Sequence, residues 1–494
     1  MAESVRTWAA NNTELAATLA AGTPPERALT RWSMELLRGH RTTEALAVMR
    51  AALALSPGDP ERWTNYGALL NQENIPAEAA ACLEHALALS PGRPDTWVLL
   101  GMARKKLGDP VAAEAAYREA LKHQPNSIPA WQFLGLLKQE QRQYAEAIDC
   151  FTTCVKAGGT DASLFANLGR LYYQVGRIPE TNKAYRRAAS LDPANLHYLR
   201  MARKTSFLQD IIAGESVDEA VAGFKNSYFK GELMAENELA DLFSSAFSLL
   251  SGFGYLEAAR RLGAKQLELK PHNPSVEYIL KALAGDPDLD RSTSEYVVEH
   301  FDGFAEGFDA QLVDVLGYDV PEKICSAVRE RTAAGKLYDT LDAGCGTGLC
   351  GPMLRPLSRR LTGVDLSPKM LDEARNRGIY DALACEDLIA YLGRCPAQFD
   401  LIVAADVMIY FGDLKPIFSG AAIALRPGGL LACSIESWNG AGFHLQPSGR
   451  FAQAPDYVRS LAAAEFEQLA DIETTIRLEG IGRLLGDIFI FRRR

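Results

Sequence analysis

Large and small apolar positions in the first half of the chain fall on one fixed period. Trp63, Trp97, Trp131 and Phe165 stand 34 residues apart, and Gly67, Gly101, Gly135 and Gly169 keep step four places later. The same period carries Ala79, Ala113, Ala147 and Thr181, then Leu83, Tyr117, Phe151 and Tyr185, then Ala86, Ala120, Cys154 and Ala188. Pro91, Pro125 and Pro193 close three of the units, with Gly159 in the remaining one. The pattern predicts two helices per unit, with small residues at their close crossing, large ones in the groove, and proline at the break. One such pair cannot bury its own apolar face, so neighbours stack into a solenoid. A weaker first unit holds Ala45, Met49, Ala52 and Pro57, with Ser33 in the glycine place. Downstream, Phe243, Ala259 and Pro271 mark a divergent unit with Phe247 in that place, and residues 198–238 fit no repeat.

From about residue 290 the pattern changes to short apolar runs alternating with helical stretches. Strands are predicted at "LYDTLD" (337–342), "LTGVD" (361–365), "DALAC" (381–385), "FDLIVAAD" (399–406) and "GLLACSIE" (429–436), the last after an "LRPGG" turn (425–429). Strands alternating with helices imply a parallel sheet covered on both faces. Ligands of such sheets bind at the carboxyl ends of the strands, where strand order reverses.

At 494 residues the chain exceeds one ordinary core, so two or three folded units are expected. A net charge of −10 argues against a nucleic-acid backbone as partner, because such binding needs clustered Lys and Arg. The nine cysteines form no C-x-x-C pair and the seven histidines are scattered, which fits neither a metal framework nor a secreted disulfide scaffold. No apolar run reaches membrane-spanning length. A reduced, soluble, cytoplasmic protein without metal, membrane or nucleic-acid partner is expected.

The stretch "LDAGCGTG" (341–348) carries the chemistry. Gly344, Gly346 and Gly348 follow the first strand, where missing side chains let a ligand approach the main chain. A dinucleotide site would read G-x-G-x-x-G and seat a pyrophosphate there. Here the spacing is G-x-G-x-G, and Asp342 would repel a pyrophosphate but attract an ammonium or sulfonium group. Asp365, at the end of the second strand, lies where an acid accepts hydrogen bonds from ribose hydroxyls. A phosphate-free nucleoside with a cationic tail is S-adenosylmethionine.

In phase and period the repeats resemble tetratricopeptide repeats. In order and spacing, "LDAGCGTG", "GVDLS", "CEDL" and "FDLIVAADV" resemble class I S-adenosylmethionine-dependent methyltransferases over roughly 290–494. A narrower likeness, at "EYVVEHFDGFAEGFDAQLVDVLGY" (295–318) and "FHLQPSGRFA" (443–452), is to bacterial predicted methyltransferases with tetratricopeptide repeats in front. The resemblance implies an α solenoid followed by a Rossmann-like α/β domain, mostly parallel with an antiparallel C-terminal hairpin. The expected divisions are an N-terminal helical segment (1–25), the solenoid (26–197, with clear repeats over 60–193), a helical connector (198–290) and the methyltransferase domain (291–494).

By the same resemblance Asp342 and the three glycines hold the methionine part, Asp365 the ribose, and Asp387 with Leu388 the adenine edge, with Glu386 as the competing neighbour and Leu366 a further cofactor contact. Asp406 would lie beside the transferable methyl. Phe301, Phe304 and Phe308 share a helical face, which is either core or a lid over the cofactor, with Phe304 and Phe308 touching it. Asp406, Tyr410, Glu436 and His444 are candidates for a base, which only a protonated acceptor needs. Arg450 is a candidate substrate contact; where the resemblance implies a nearby histidine this chain has Gln453. Asn65 and Asn167 are either solvated helix residues or rungs that hold a peptide on the concave face. The fourth strand lacks the Asn/Asp-Pro-Pro-Tyr signature of adenine and glutamine-amide methylation, having "ADVMIY" instead, so oxygen, sulfur and amine acceptors stay open. Three readings follow: a methyltransferase whose solenoid delivers a peptide or protein, a small-molecule methyltransferase that uses its repeats for assembly, and a non-catalytic adaptor.

Overall fold

A computed structural model describes residues 3–10, 12–227, 238–303, 305, 308, 309, 312, 317–333, 335–479 and 482–494. The chain divides into two compact units, 1–202 and 203–494, with the boundary inside the Leu196–Ala213 helix.

In the first unit, five helix pairs run from Pro25–Arg38 with Thr42–Leu55 to Ala162–Gln174 with Ile178–Leu191. Proline opens many of these helices at a position whose amide would have no partner anyway. The repeating glycines are close approaches. A Cβ at Gly101 would lie 2.4 Å from the Tyr117 ring, and one at Gly67 2.5 Å from Leu83. In the first pair the Ser33 hydroxyl lies 3.9 Å from the Met49 sulfur at the same crossing. The indole N–H groups of Trp63, Trp97 and Trp131 each donate, at 2.8 Å, to the carbonyl of the proline six residues earlier, namely Pro57, Pro91 and Pro125. One contact thus ties each break to the helix after it.

The second unit opens with helices that include Glu238–Gly252 and Leu256–Leu269, the divergent repeat. Its crossing is inverted: Phe247 stands in the glycine place and Gly263 in the aromatic place, where an added Cβ would lie 2.6 Å from the Phe247 ring. Knob and hole have changed helices while the close packing is retained.

A seven-stranded Rossmann-like sheet follows. β1 (Tyr338–Ala343), β2 (Ser358–Asp365), β3 (Ala382–Cys385), β4 (Phe399–Ala404) and β5 (Leu425–Glu436) are parallel. β6 (Phe443–Leu445) and β7 (Phe451–Gln453) form a separate hairpin, and β8 (Phe466–Glu479) and β9 (Gly482–Arg493) an antiparallel one that joins the sheet edge. The order is β3-β2-β1-β4-β5-β9-β8, so strand order reverses between β1 and β4. β5 begins at Leu425, earlier than the sequence suggests, and its pairing with β4 is irregular between Phe399 and Leu401. Apolar clusters fill both sheet faces, around Ile402, Phe418 and Phe489 on one and Leu361, Leu401 and Ile490 on the other. Among the described residues no helix is long and apolar enough to cross a membrane, and no group of three or more His, Cys, Asp and Glu could hold a metal ion.

Candidate functional site

A cavity of about 330 Å³ opens at the carboxyl ends of β1 and β4, where the topology leaves a crevice. The loop after β1 is stitched to β2: the Gly344 and Cys345 amides donate to the Val364 carbonyl at 2.8 and 3.0 Å. The three glycines then part company. A Cβ on Gly344 would meet Val407 at 2.4 Å and one on Gly348 the Tyr380 ring at 2.9 Å, so both make room for protein. Gly346, at φ +52°, has open space in that direction and lines the cavity. Its amide donates to Asp365 Oδ2 at 2.9 Å, while the Ser367 amide donates to Oδ1 at 2.9 Å. These bonds aim the carboxylate and leave further lone pairs for a ligand.

Asp342 lies on the cavity wall and accepts a 2.6 Å hydrogen bond from the Tyr380 hydroxyl. Burial pushes its carboxyl up to about 7, helped by the Asp365 charge and opposed by the Tyr380 donor. Burial also raises Asp365, against its amide donors. Neither acid forms an ion pair among the described residues, which fits a positively charged ligand, and the open direction at Gly346 fits close main-chain approach. This end of the site therefore suits a sulfonium nucleoside and not a pyrophosphate.

Of the two adjacent acids after β3, Glu386 lines the cavity, as do Leu366 and Leu388. Asp387 caps the following helix through the Ala390 amide and pairs with Arg291 at 2.6 Å, outside the lining. Burial would raise its carboxyl, but Arg291 and the amides hold it below the usual range. Gly348 is likewise outside the lining.

Asp406, Tyr410, Arg450 and Arg477 form a second polar group of the lining, close to one another. Asp406 adopts φ +57°, a left-handed conformation unusual for a non-glycine residue, and its amide donates to the Ser434 hydroxyl at 2.8 Å. Its carboxylate accepts from Arg477 at 3.4 Å; burial raises its pKa and Arg477 opposes the rise. Glu436 is fully buried behind the lining, where it accepts from Arg477, pairs with Arg450 at 3.2 Å and accepts from Gln446 at 2.9 Å. It anchors two arginines and does not face the ligand space. His444 is exposed, stacked on Trp438 with ring centroids 4.5 Å apart, and is also outside the lining. Arg477, on β8, and His300, on the Ser294–Asp302 helix, line the cavity although the sequence pattern singles out neither. The one available signal is that His300 falls within the 295–318 stretch.

The Ser294–Asp302 helix ends before Phe308, so Phe301 and Phe308 do not share one helical face, yet both cover the cavity. Phe301 and Phe308 line the cavity edge to face, 5.9 Å apart, and Phe301 meets Tyr410 at 5.6 Å. Phe304 lies outside the described residues. The cover is pinned on both sides: Asp302 accepts from the Ser367 hydroxyl, and Asp309 accepts from the Thr347 hydroxyl and pairs with Arg377. In the solenoid, Asn65 is exposed, whereas Asn167 accepts from Arg170 at 3.1 Å.

Residues 341–431 match the family described as methyltransferase domain, and residues 30–94, 70–139 and 128–157 match tetratricopeptide repeat families. A ubiquinone biosynthesis O-methyltransferase of Xylella fastidiosa (strain 9a5c) is 34% identical over 171 residues, which span 32% of this chain and 68% of that protein. The protein so described from Coxiella burnetii (strain RSA 331 / Henzerling II) is 28% identical over 166 residues, 31% of this chain and 68% of its own. Among solved structures, the N-methyltransferase NodS from Bradyrhizobium japonicum WM9 in complex with S-adenosyl-L-homocysteine matches at TM-score 0.33 and 19% identity, covering 40% of this chain and 98% of that one. A thermophilic tetratricopeptide protein of Thermus thermophilus matches at TM-score 0.31 and 20% identity, covering 36% and 97%.

Proposed function

This chain belongs to the S-adenosylmethionine-dependent methyltransferases and carries tetratricopeptide repeats, and from that premise we propose that its solenoid recruits a peptide or protein whose side chain is methylated in the cavity. The observation that carries the reading is one cavity lined by Asp342, Asp365, Glu386 and the open Gly346 backbone together with Asp406, Tyr410, Arg450 and Arg477. When bound, the cofactor supplies an electrophilic methyl group. The chain's own residues position it: Asp365 takes the ribose hydroxyls, Glu386 with Leu388 faces the adenine edge, and Asp342 with the glycine loop takes the cationic tail. Phe301 and Phe308 exclude water above it, and the acceptor enters between Tyr410 and Arg450. Because the leaving thioether is neutral, alignment alone supplies much of the acceleration, about 7–11 kcal/mol. Five stacked pairs in a compact unit of their own support recruitment by the solenoid.

A second reading, methylation of a small hydroxylated molecule with the repeats serving assembly, is favoured by the O-methyltransferase names of the relatives. The full chain incubated with tritium-methyl cofactor and a lysate of its source organism separates the two. The first reading expects label in a polypeptide, reduced in the Asn65→Ala/Asn167→Ala variant. Label confined to small molecules, and indifferent to those substitutions, would establish the second in its place.

A further inference from the structure

We propose that His300 is the general base of the transfer and that the acceptor atom is a hydroxyl oxygen; the inference rests on the acceptor occupying the Asp406–Tyr410–Arg450 part of the cavity. His444 stacks on Trp438 away from the lining, whereas His300 is one of the residues that line it. The other titratable groups there are poorly suited to take a proton. Burial raises the Tyr410 phenol far above neutrality, so it stays protonated and acts as a donor. Asp406 is committed to Arg477, and Glu436 is sealed behind both arginines. An imidazole keeps a basic lone pair at neutral pH. Surrounding protein, and next the Arg450 charge, hold the imidazolium of His300 below its ordinary range, so the ring is neutral before reaction.

The ring is also held in place from several elements. His300 stacks on Tyr296 at 5.6 Å, and Tyr296 stacks on Tyr278 at 4.3 Å. The buried Tyr278 hydroxyl in turn donates to the Gly449 carbonyl at 2.7 Å and lies 2.8 Å from the Ser292 hydroxyl. Phe301 meets His300 edge-on at 5.3 Å. The charged and titratable groups facing this part are thus Tyr296 from the same helix, Arg450 from the turn between β6 and β7, Tyr410 and Asp406 from beyond β4, and Arg477 from β8.

In the step, the acceptor oxygen forms a bond to the methyl carbon as the carbon–sulfur bond breaks. That bond's electron pair goes to sulfur, and the hydroxyl proton passes to His300, which becomes an imidazolium. The sulfonium's positive charge disappears as the imidazolium's appears, so no charge is created. A carboxylate acceptor would need no base, and an ammonium acceptor would add a third cation beside Arg450 and Arg477. A thiol ionises close to neutrality and depends less on a base, so a neutral hydroxyl is the acceptor that most needs the histidine while tolerating its neighbours.

The test uses the full chain, tritium-methyl cofactor and the source lysate between pH 5 and 9. The wild-type rate should rise about tenfold per pH unit and level off below neutrality, and the product label should survive alkali as a methyl ether. His300→Gln should lower transfer about 10²- to 10⁴-fold, with cofactor affinity unchanged and the plateau lost. Imidazole added to His300→Ala should restore part of the rate, which a packing role would not allow. Independently of turnover, a nuclear magnetic resonance titration should place the His300 pKa below about 6.5. A His300→Gln enzyme with the wild-type rate and plateau, label released by alkali as methanol, or a His300 protonated at neutrality would each overturn the proposal. The size class of the labelled product decides the solenoid reading separately, and a wild-type chain that transfers no label at any pH overturns both.

Discussion

Replacing Tyr380 by Phe keeps the ring that fills the space beside Gly348 and Gly363 and removes only the hydroxyl that donates to Asp342. Asp342 titrates at about 7 in the folded chain against an ordinary value of 3.8, chiefly because it is buried. A carboxyl raised on folding contributes stability that is present in full below the unfolded value and is lost as pH rises through the folded one. The contribution is on the order of 4 kcal/mol, lost between about pH 4 and pH 7. A cationic ligand favours the ionised form, so cofactor affinity should rise through pH 7 and then level off, and binding at pH 7 should release about half a proton. A hydrogen bond to a charged group contributes about 1.5–3 kcal/mol, equivalent to about one to two pKa units. Tyr380→Phe should therefore shift the affinity midpoint up by about one to two pH units. At pH 7 it should weaken cofactor binding roughly 5- to 50-fold, with recovery by about pH 9. Calorimetry in buffers of different ionisation enthalpy measures both the dissociation constant and the proton count. Equal affinities at every pH, or a loss that persists at high pH, would refute the account of Asp342 as the acid that meets the cation.

Gly346→Val should abolish cofactor binding in calorimetry and also lower the melting temperature, because a β-branched residue is strained at φ +52°; normal binding would remove this loop from the site. Arg477→Met leaves Glu436 buried with Arg450 as its remaining cation, and should cost about 3 kcal/mol in urea unfolding; an unchanged midpoint would show that Arg450 alone compensates the charge. Gly263→Phe should destabilise the helical part of the second unit by about 1–3 kcal/mol through overpacking against Phe247. Adding Phe247→Gly should recover part of that loss, since it restores the knob and hole of the other repeats, and a strictly additive double variant would contradict the inverted crossing.

The solenoid was legible from sequence because each crossing is local. A glycine and a large residue 16 positions apart meet within one helix pair, and the repeat shows the same contact several times. The glycine loop and the acids at 342 and 365 were legible for a related reason, because strand ends and the turns that leave them impose the same backbone geometry wherever the topology recurs. Which glycine faces open space was decided elsewhere in the chain, by Val407 filling the place beside Gly344 and Tyr380 that beside Gly348. Adjacency in sequence likewise hid the difference between Glu386, which lines the cavity while paired with Arg394, and Asp387, which the start of a helix and Arg291 take up outside the lining. Glu436 and His444 had the residue types of catalysts, yet folding closed two arginines over one and stacked the other on an outlying tryptophan. His300 and Arg477 show the converse, since their position comes from a covering helix and a late strand whose places depend on long-range packing. Residue type and local spacing thus determined the repeat, the sheet and the glycine turn that leaves its first strand. Which side chains point into the cavity was settled only when distant segments competed for the same space and the same charges.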